Sequence, residues 1–250
     1  MVIESPDHGP EACAGVVLES FPPQCGGIPL PNFDWDTVTW AEQGGGSTWA
    51  DVILIGHFDG HELTLIAPPE PIPTDHVWGS PAVDLTPPCD EPAGGWTDTR
   101  SADVDHLAAS TYAAAQDGFA GQWLYRPQPS VDRVVLVFTF TGDLATHTQR
   151  LRERYDGALC VGLAPRSLAD LEEIREELKT VLHSAEARDR GIYPGLQAGY
   201  LLTTGLNVLS SSVEVTVWAA LDQDAAQRWL DSLYGDDAVL LRPVVFPVDS

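Results

Sequence analysis

Basic residues are scarce in this sequence of 250 residues. Lysine and arginine together number 13 against 37 acidic residues, the formal net charge is −24, and Lys179 is the only lysine. A surface this negative repels nucleic-acid phosphates and anionic membranes. The composition therefore argues against nucleic-acid binding. Its simplest consequence is a soluble, Asp-rich surface, and a more specific one is attraction of cations or of a basic partner.

Long apolar runs and familiar catalytic motifs are also missing. No apolar stretch approaches the roughly 20 residues that span a bilayer, and Met1–Pro6 resembles no signal peptide. The sequence has neither a G-x-S-x-G elbow nor a phosphate-binding loop. We therefore expect no catalytic residues, cofactor or metal. The alternative is a hydrolase with an unfamiliar site between domains, built from carboxylates with His106 or His147.

The remaining composition predicts an α+β protein with a substantial core, since 44% of the residues are hydrophobic. Turn-forming Pro and Gly clusters divide the chain into a small barrel-like β domain over 1–67, a Pro/Gly-rich linker over 68–100 and an α+β domain over 101–250. A strand is also predicted at Gly15–Ser20.

A hairpin is the strongest signal in the first domain. Asp59-Gly60 separates two apolar segments, Ala50–Phe58 and His61–Ile66, and Asp-Gly favours a two-residue type I′ turn. With that loop, Phe58 pairs with His61 and His57 with Glu62. The two histidines then point to opposite faces, which argues against a shared metal site.

The second domain is organised around Val213–Trp218, in which valines alternate with Glu214, Thr216 and Trp218. This period of two predicts a central strand with one covered face. From Leu159 onward the predicted order is β-α-β-β-α-β, which is ferredoxin-like, and a preceding strand and helix would extend the same sheet. Pro243 places the last strand at a sheet edge. The predicted strands of this domain are 133–140, 159–163, 200–208 and 239–246, and a loop is predicted at 186–195. The predicted helices are 101–118, capped by Ser101 or Asp103; a second that follows the turn at 141–143, is capped by Asp143 and runs to about Tyr155; and two more that begin at their caps Ser167 and Asp222.

The four cysteines favour two disulfides, because none has the C-x-x-C spacing of metal or redox sites. Cys13 and Cys25 flank a short segment, and the setting of the other two favours a Cys89–Cys160 bridge. Disulfides would place the protein outside the cytoplasm, secreted or bound to the envelope, with its export signal absent from this chain.

Tryptophans supply the candidate binding surface. Trp35, Trp40 and Trp49 crowd the first domain, where they could anchor a protein or stack on a sugar, or fill the core. Two groups of aspartates could hold calcium, Asp98, Asp103 and Asp105 in one and Asp236-Asp237 in the other, but helix capping and a turn explain them more simply. Trp78 and Trp96 lie in the linker.

Several short stretches resemble uncharacterised exported proteins and lipoproteins of high-GC Gram-positive bacteria. They are Pro6–Cys13, Phe21–Gly27, Cys89–Trp96, Gly157–Val161 and Tyr234–Val239. The resemblance implies secretion and two disulfides, and it brings no catalytic residues. This chain lacks the signal sequence and lipid-attachment cysteine of that pattern. The region Val213–Val239 is also faintly similar to the pro-regions of secreted serine proteases.

These observations predict a non-catalytic extracytoplasmic protein that binds a protein or a cell-envelope component. Besides the hydrolase, the alternative is an inhibitor or folding assistant of a secreted protease. The oligomeric state stays open.

Overall fold

The computed structural model describes residues 1–13, 17–18, 20–73, 84–96, 106–127, 134–192, 203–220 and 222–245. These residues form a mixed α/β structure with five helices and several small sheets. The strands are β1 Val2–Ser5, β2 His8–Cys13, β3 Gly27–Pro29, β4 Glu42–Gly44, β5 Ser47–Ala50, β6 Val52–Ile53, β7 Gly56–Phe58, β8 Leu63–Leu65, β9 Glu70–Pro71, β10 Phe119–Tyr125, β11 Val135–Phe140, β12 Leu159–Leu163, β13 Thr204–Asn207, β14 Ser212–Ala219 and β15 Val239–Val245. The helices are α1 His106–Ala114, α2 Leu144–Arg152, α3 Leu168–Val181, α4 Ala185–Asp189 and α5 Gln223–Tyr234.

The N-terminal β domain is built on an open antiparallel sheet of order β3-β2-β1-β5-β4. Because side chains alternate across a strand, Val2 and its cross-strand partners Ala12 and Ala50 face one way, into an apolar core. Ile3 and its partner Trp49 face the other way. The pairs β6-β9 and β7-β8 complete the domain. The described residues form no closed barrel, so the barrel-like prediction is wrong.

The predicted hairpin is present, but its loop is longer than two residues. Phe58 pairs with Leu63 and His57 with Thr64, rather than with His61 and Glu62. The carboxylate of Asp59 accepts hydrogen bonds from the backbone N–H groups of His61 at 2.7 Å and Glu62 at 2.9 Å. These two hydrogen bonds stabilise a four-residue loop, which stands in place of the predicted two-residue type I′ turn.

The C-terminal part consists of two halves of the same topology. In each half an antiparallel strand pair is followed by a helix and a parallel strand: β10-β11-α2-β12 in the first half and β13-β14-α5-β15 in the second. Helix α1 precedes the first half, and α3 and α4 precede the second. The parallel ladders begin alike, since Leu136 N–H donates to the Ala158 carbonyl and Val213 N–H to the Ala238 carbonyl, both at 2.9 Å.

Sequence positions repeat along with the topology. Leu151 of α2 and Leu230 of α5 are both fully buried. Tyr155 and Tyr234 follow four residues later, and burial raises the pKa of both phenols. The repeated set is Asp143, Leu151, Tyr155 and Ala158, matched by Asp222, Leu230, Tyr234 and Ala238. The two halves therefore use one packing scheme twice.

Each half covers one face of its sheet with helices and the other face with a different part of the chain. Val213, Val215 and Val217 pack under α3 and α5. On the opposite face, Trp218 is 3% exposed and belongs to the core of the N-terminal domain. In the first half, the face opposite α1 and α2 is covered by the segment that carries Trp96. Trp218 thus joins the second half to the N-terminal domain.

The structure does not confirm the ferredoxin-like arrangement. The predicted element order from Leu159 is present, but β12 pairs with β11 in a sheet of order β10-β11-β12, whereas β13, β14 and β15 form a separate sheet. The preceding strand therefore extends only the sheet of β12. Strand β10 was not predicted. It carries a bulge between Phe119 and Gly121 that interrupts its alternation.

The predicted boundaries and caps are partly confirmed. Ser167 caps α3 in a reciprocal capping box with Asp170, Asp222 caps α5, and Gly235 ends α5 with φ 89°. Asp143 occupies the N-cap position of α2 with φ 49° but makes no side-chain capping bond. The predicted loop at 186–195 contains most of α4, which Ser184 caps. β15 pairs only with β14 among the described strands, as an edge strand does.

Some predictions lie outside the described residues. They are half of the Gly15–Ser20 strand (residues 15, 16 and 19), the caps Ser101 and Asp103, the aspartates Asp98, Asp103 and Asp105, and Trp78.

Candidate binding surfaces of the N-terminal domain

The structure contains both predicted disulfides. Cys13 and Cys25 are bonded with their Cα atoms 5.6 Å apart, and Cys89 and Cys160 with theirs 5.8 Å apart. Cys13 ends β2, so the first bridge ties the segment before β3 to the sheet. Cys160 is 1% exposed in β12, and the second bridge holds the segment around Cys89 against it.

The three predicted binding tryptophans are each held by their own domain. Trp49 is 8% exposed and meets the ring of Phe21 edge-on at 5.7 Å. Trp35 is half-buried, and its indole N–H donates to the carboxylate of Glu4. Trp40, also half-buried, donates to the Asp51 carbonyl at 3.1 Å. Trp35 and Trp40 pack against the same apolar core as Trp218, so both contribute to packing.

An apolar groove opens at the junction of the first sheet, the β7-β8 hairpin and the end of β15. Its volume is about 300 Å³. We call it the apolar groove and define it by Ala12, Ile28, Val52, Leu54, Leu63 and Val244. Val244 is 36% exposed at the groove, on an edge strand. The groove thus has a floor of buried aliphatic side chains, Ile28, Val52 and Leu63, and Val244 is the exposed residue at its edge.

A second depression lies on the opposite face of the same sheet, under the segment that Cys25 anchors. Its volume is about 530 Å³. We call it the polar cleft and define it by Ser5, Asp7, His8, Gln24 and Ser47 with Ile3, Pro22 and Pro23. Ile3 lines the cleft, whereas Ala12, the cross-strand partner of the neighbouring Val2, lines the groove. Successive side chains in a strand point to opposite faces, so the two sites lie on opposite faces of the sheet. The Cys13–Cys25 bridge contributes one residue to each lining.

The metal-binding alternatives find no support in the described geometry. His57 is exposed on β7, and His61 lies in the loop beyond it. The backbone hydrogen bonds from Glu62 and then His61 lower the pKa of Asp59, which explains that carboxylate as a turn-former. The carbonyl of Asp236 accepts a hydrogen bond from Arg166 at 2.6 Å. Among the described residues, no group of three or more His, Cys, Asp or Glu side chains is placed to hold a metal ion.

The two histidines considered for a hydrolase are in different settings. His106 is exposed at the start of α1. His147 stacks on Phe140 at 3.9 Å, and its Nδ1 lies 3.1 Å from the Tyr112 hydroxyl. The guanidinium carbon of Arg154 lies over the Tyr112 ring, 4.6 Å from the ring centre. His147 therefore projects from α2 and packs against α1 and β11, with a phenol as its hydrogen-bond partner.

Within the described residues, no helix is long and apolar enough to cross a membrane. No protein-family model matches the chain, and the curated proteins include no match to it.

Sequence reasoning identified neither depression, although it named the bridge between them. The groove and the cleft each combine residues from segments far apart in the chain, so no local motif marks them. The only local signal is the alternation of β1, where Val2 and Ile3 must face opposite ways.

Proposed function

We propose that this chain is a non-catalytic extracytoplasmic binding protein that recognises a protein partner through the apolar groove. The observation that carries the proposal is the groove itself, in which Val52, Leu54 and Leu63 line a cavity of about 300 Å³ that the described part of the chain leaves unfilled. Pockets that receive an anchoring side chain are the energetic centres of many interfaces. The two disulfides support an extracytoplasmic location.

The charge of the chain indicates the character of the partner. With a net charge of −24, the protein attracts basic surfaces over a long range. Asp51, next to the groove residue Val52, has a side chain that is 60% exposed. The partner is therefore a segment with an apolar anchor flanked by lysine or arginine. Because exposed charges are screened by salt, its binding weakens as ionic strength rises.

Affinity capture from the native envelope fraction tests this proposal with two matched variants. Val244→Asp puts a charge at the groove, whereas Leu233→Asp puts the same charge on α5, where Leu233 is 49% exposed. We expect the wild type and Leu233→Asp to retain the same basic partner, and Val244→Asp to lose it by tenfold or more, about 1.4 kcal/mol. Equal recovery by both variants, or recovery of no partner, would contradict the proposal.

A further inference from the structure

We propose that the polar cleft is a second binding site, and that its ligand is a neutral saccharide. The cleft lies on the opposite sheet face from the apolar groove, so this site does not depend on the protein partner. Its volume of about 530 Å³ is within the usual range of small-molecule sites, roughly 300–1,000 Å³. A cavity of this size accommodates one or two sugar rings.

The polar lining offers both donors and acceptors. Ser47 is 6% exposed and brings a hydroxyl to the cleft, and Gln24 brings an exposed amide. His8 Nδ1 lies 2.8 Å from the Gly9 carbonyl, which can only accept, so in the neutral ring the proton is on Nδ1 and Nε2 is an acceptor. Asp7 adds a carboxylate that accepts only. Sugar hydroxyls donate and accept at once, and this mixed set satisfies both roles.

An aromatic ring stands beside the polar groups. Phe21 is 78% exposed at the rim of the cleft: it does not line the cavity itself, but it directly precedes the cleft residue Pro22, and its ring lies against Gly44, next to the cleft residue Gly45. Its ring meets Trp49 edge-on at 5.7 Å and an interplanar angle of 88°. The C–H face of a sugar ring packs on an aromatic or proline surface, as apolar groups generally do. An exposed phenyl ring at the rim, with hydroxyl and amide groups in the cleft, suits a saccharide.

The cleft is formed before any ligand arrives. The Cys13–Cys25 bridge anchors its outer segment, and Leu18 N–H donates to the Gln24 carbonyl at 2.9 Å across that segment. A site that is already ordered loses less conformational entropy on binding.

Charge restricts the ligand to neutral sugars. Asp7 lines the cleft, Glu11 lies 3.9 Å from His8 Nδ1, and the whole chain carries −24. Phosphorylated sugars and uronic acids would be repelled. A purely apolar ligand would leave the buried Ser47 hydroxyl without a partner, which costs free energy.

The test uses isothermal titration calorimetry of the whole oxidised chain with three neutral probes: triacetylchitotriose, cellotriose and maltotriose. We expect at least one to bind with a Kd below about 5 mM, and Phe21→Ala and Gln24→Ala each to weaken it about tenfold. Leu18→Ala is the matched control, because Leu18 is 54% exposed in the same segment and does not line the cleft. It should bind as the wild type does.

Two results would overturn the inference. One is the absence of binding by all three neutral probes; the other is binding that Gln24→Ala and Phe21→Ala leave unchanged. Gln24 is exposed, so its truncation tests the site even where Phe21→Ala disturbs Trp49. Galacturonic acid trimer serves as the anionic probe, and tighter binding of this trimer than of every neutral probe would also refute the inference.

Discussion

Truncation of Trp218 should separate the N-terminal domain from the second half of the C-terminal part. Trp218 projects from β14 and is 3% exposed in a core that includes Val2, Ile28 and Val38. A buried tryptophan covers up to about 250 Å², and at about 25 cal/mol per Å² this burial corresponds to roughly 6 kcal/mol. Alanine retains part of that area, and Trp→Ala changes in cores cost about 3–5 kcal/mol. We therefore expect Trp218→Ala to lower the free energy of unfolding by about 4 kcal/mol.

Guanidinium denaturation of the oxidised protein measures this loss, followed by both fluorescence and far-UV circular dichroism. In the wild type the two signals should report one transition, because the domain core and the second sheet share Trp218. In Trp218→Ala they should diverge into two transitions. Trp218→Phe keeps a large ring and should lose less than half as much stability. A loss below about 1 kcal/mol for Trp218→Ala, with coincident transitions, would refute the reasoning, since that is the size of an ordinary surface effect.

Three further predictions follow from particular contacts. A Cβ on Gly121 of β10 would lie 2.6 Å from Val208 Cβ, whereas one on Gly205 of β13 meets nothing within 4 Å. Thermal unfolding should therefore show Gly121→Ala destabilised by about 1–3 kcal/mol and Gly205→Ala nearly unchanged. Equal effects would contradict the close approach of Val208 to β10. The Cys89–Cys160 bridge spans 71 residues and the Cys13–Cys25 bridge spans 12. In the chain-entropy model, replacing Cys89 and Cys160 by alanine should therefore lower the free energy of unfolding by about 4 kcal/mol, and replacing Cys13 and Cys25 by about 3. The reverse order in denaturant titrations would contradict that model. Hydrogen bonds from the Ser167 backbone N–H and side chain lower the pKa of Asp170 below its ordinary 3.8. The stability that its carboxylate contributes is therefore present above pH 3.8 and is lost as the pH falls through the lower, folded pKa. Asp170→Asn should be less stable than the wild type at pH 7 and approach it in acid as that carboxylate is protonated, and a difference that persists unchanged in acid would argue against the capping box.

The sequence predicts local elements of this fold better than their assembly. Ser167, Asp222 and Gly235 mark helix ends through hydrogen bonds and backbone angles that depend only on neighbouring residues. Val213, Val215 and Val217 mark a strand by their period. Which strands share a sheet depends instead on non-local pairing. The separation of β12 from β13 therefore has no signature in the element order.

Competition between two local solutions explains the hairpin. Asp-Gly favours a two-residue turn, but the Asp59 carboxylate can also bind two backbone N–H groups further along the chain. The second solution requires a four-residue loop and brings Leu63, a buried residue, opposite Phe58. Burial of Leu63 in the domain core decides between them, and that burial depends on the tertiary structure.

The candidate sites were hidden from sequence reasoning for a related reason. Three tryptophans lie close together in the sequence of the first domain, yet Trp49 is buried and Trp35 and Trp40 are half-buried against the core. The groove instead uses ordinary aliphatic residues such as Leu54 and Val244, which become a surface only when β15 ends beside the first domain.

A photo-reactive amino acid at position 244 provides the most direct test of the proposed function. Ultraviolet cross-linking in the envelope fraction, followed by peptide mass spectrometry, identifies what lies against the groove. We predict a single dominant adduct whose peptide carries an apolar residue flanked by lysine or arginine, and which the same probe at position 233 does not form. No adduct at position 244, or the same adducts from both positions, would contradict recognition through the apolar groove.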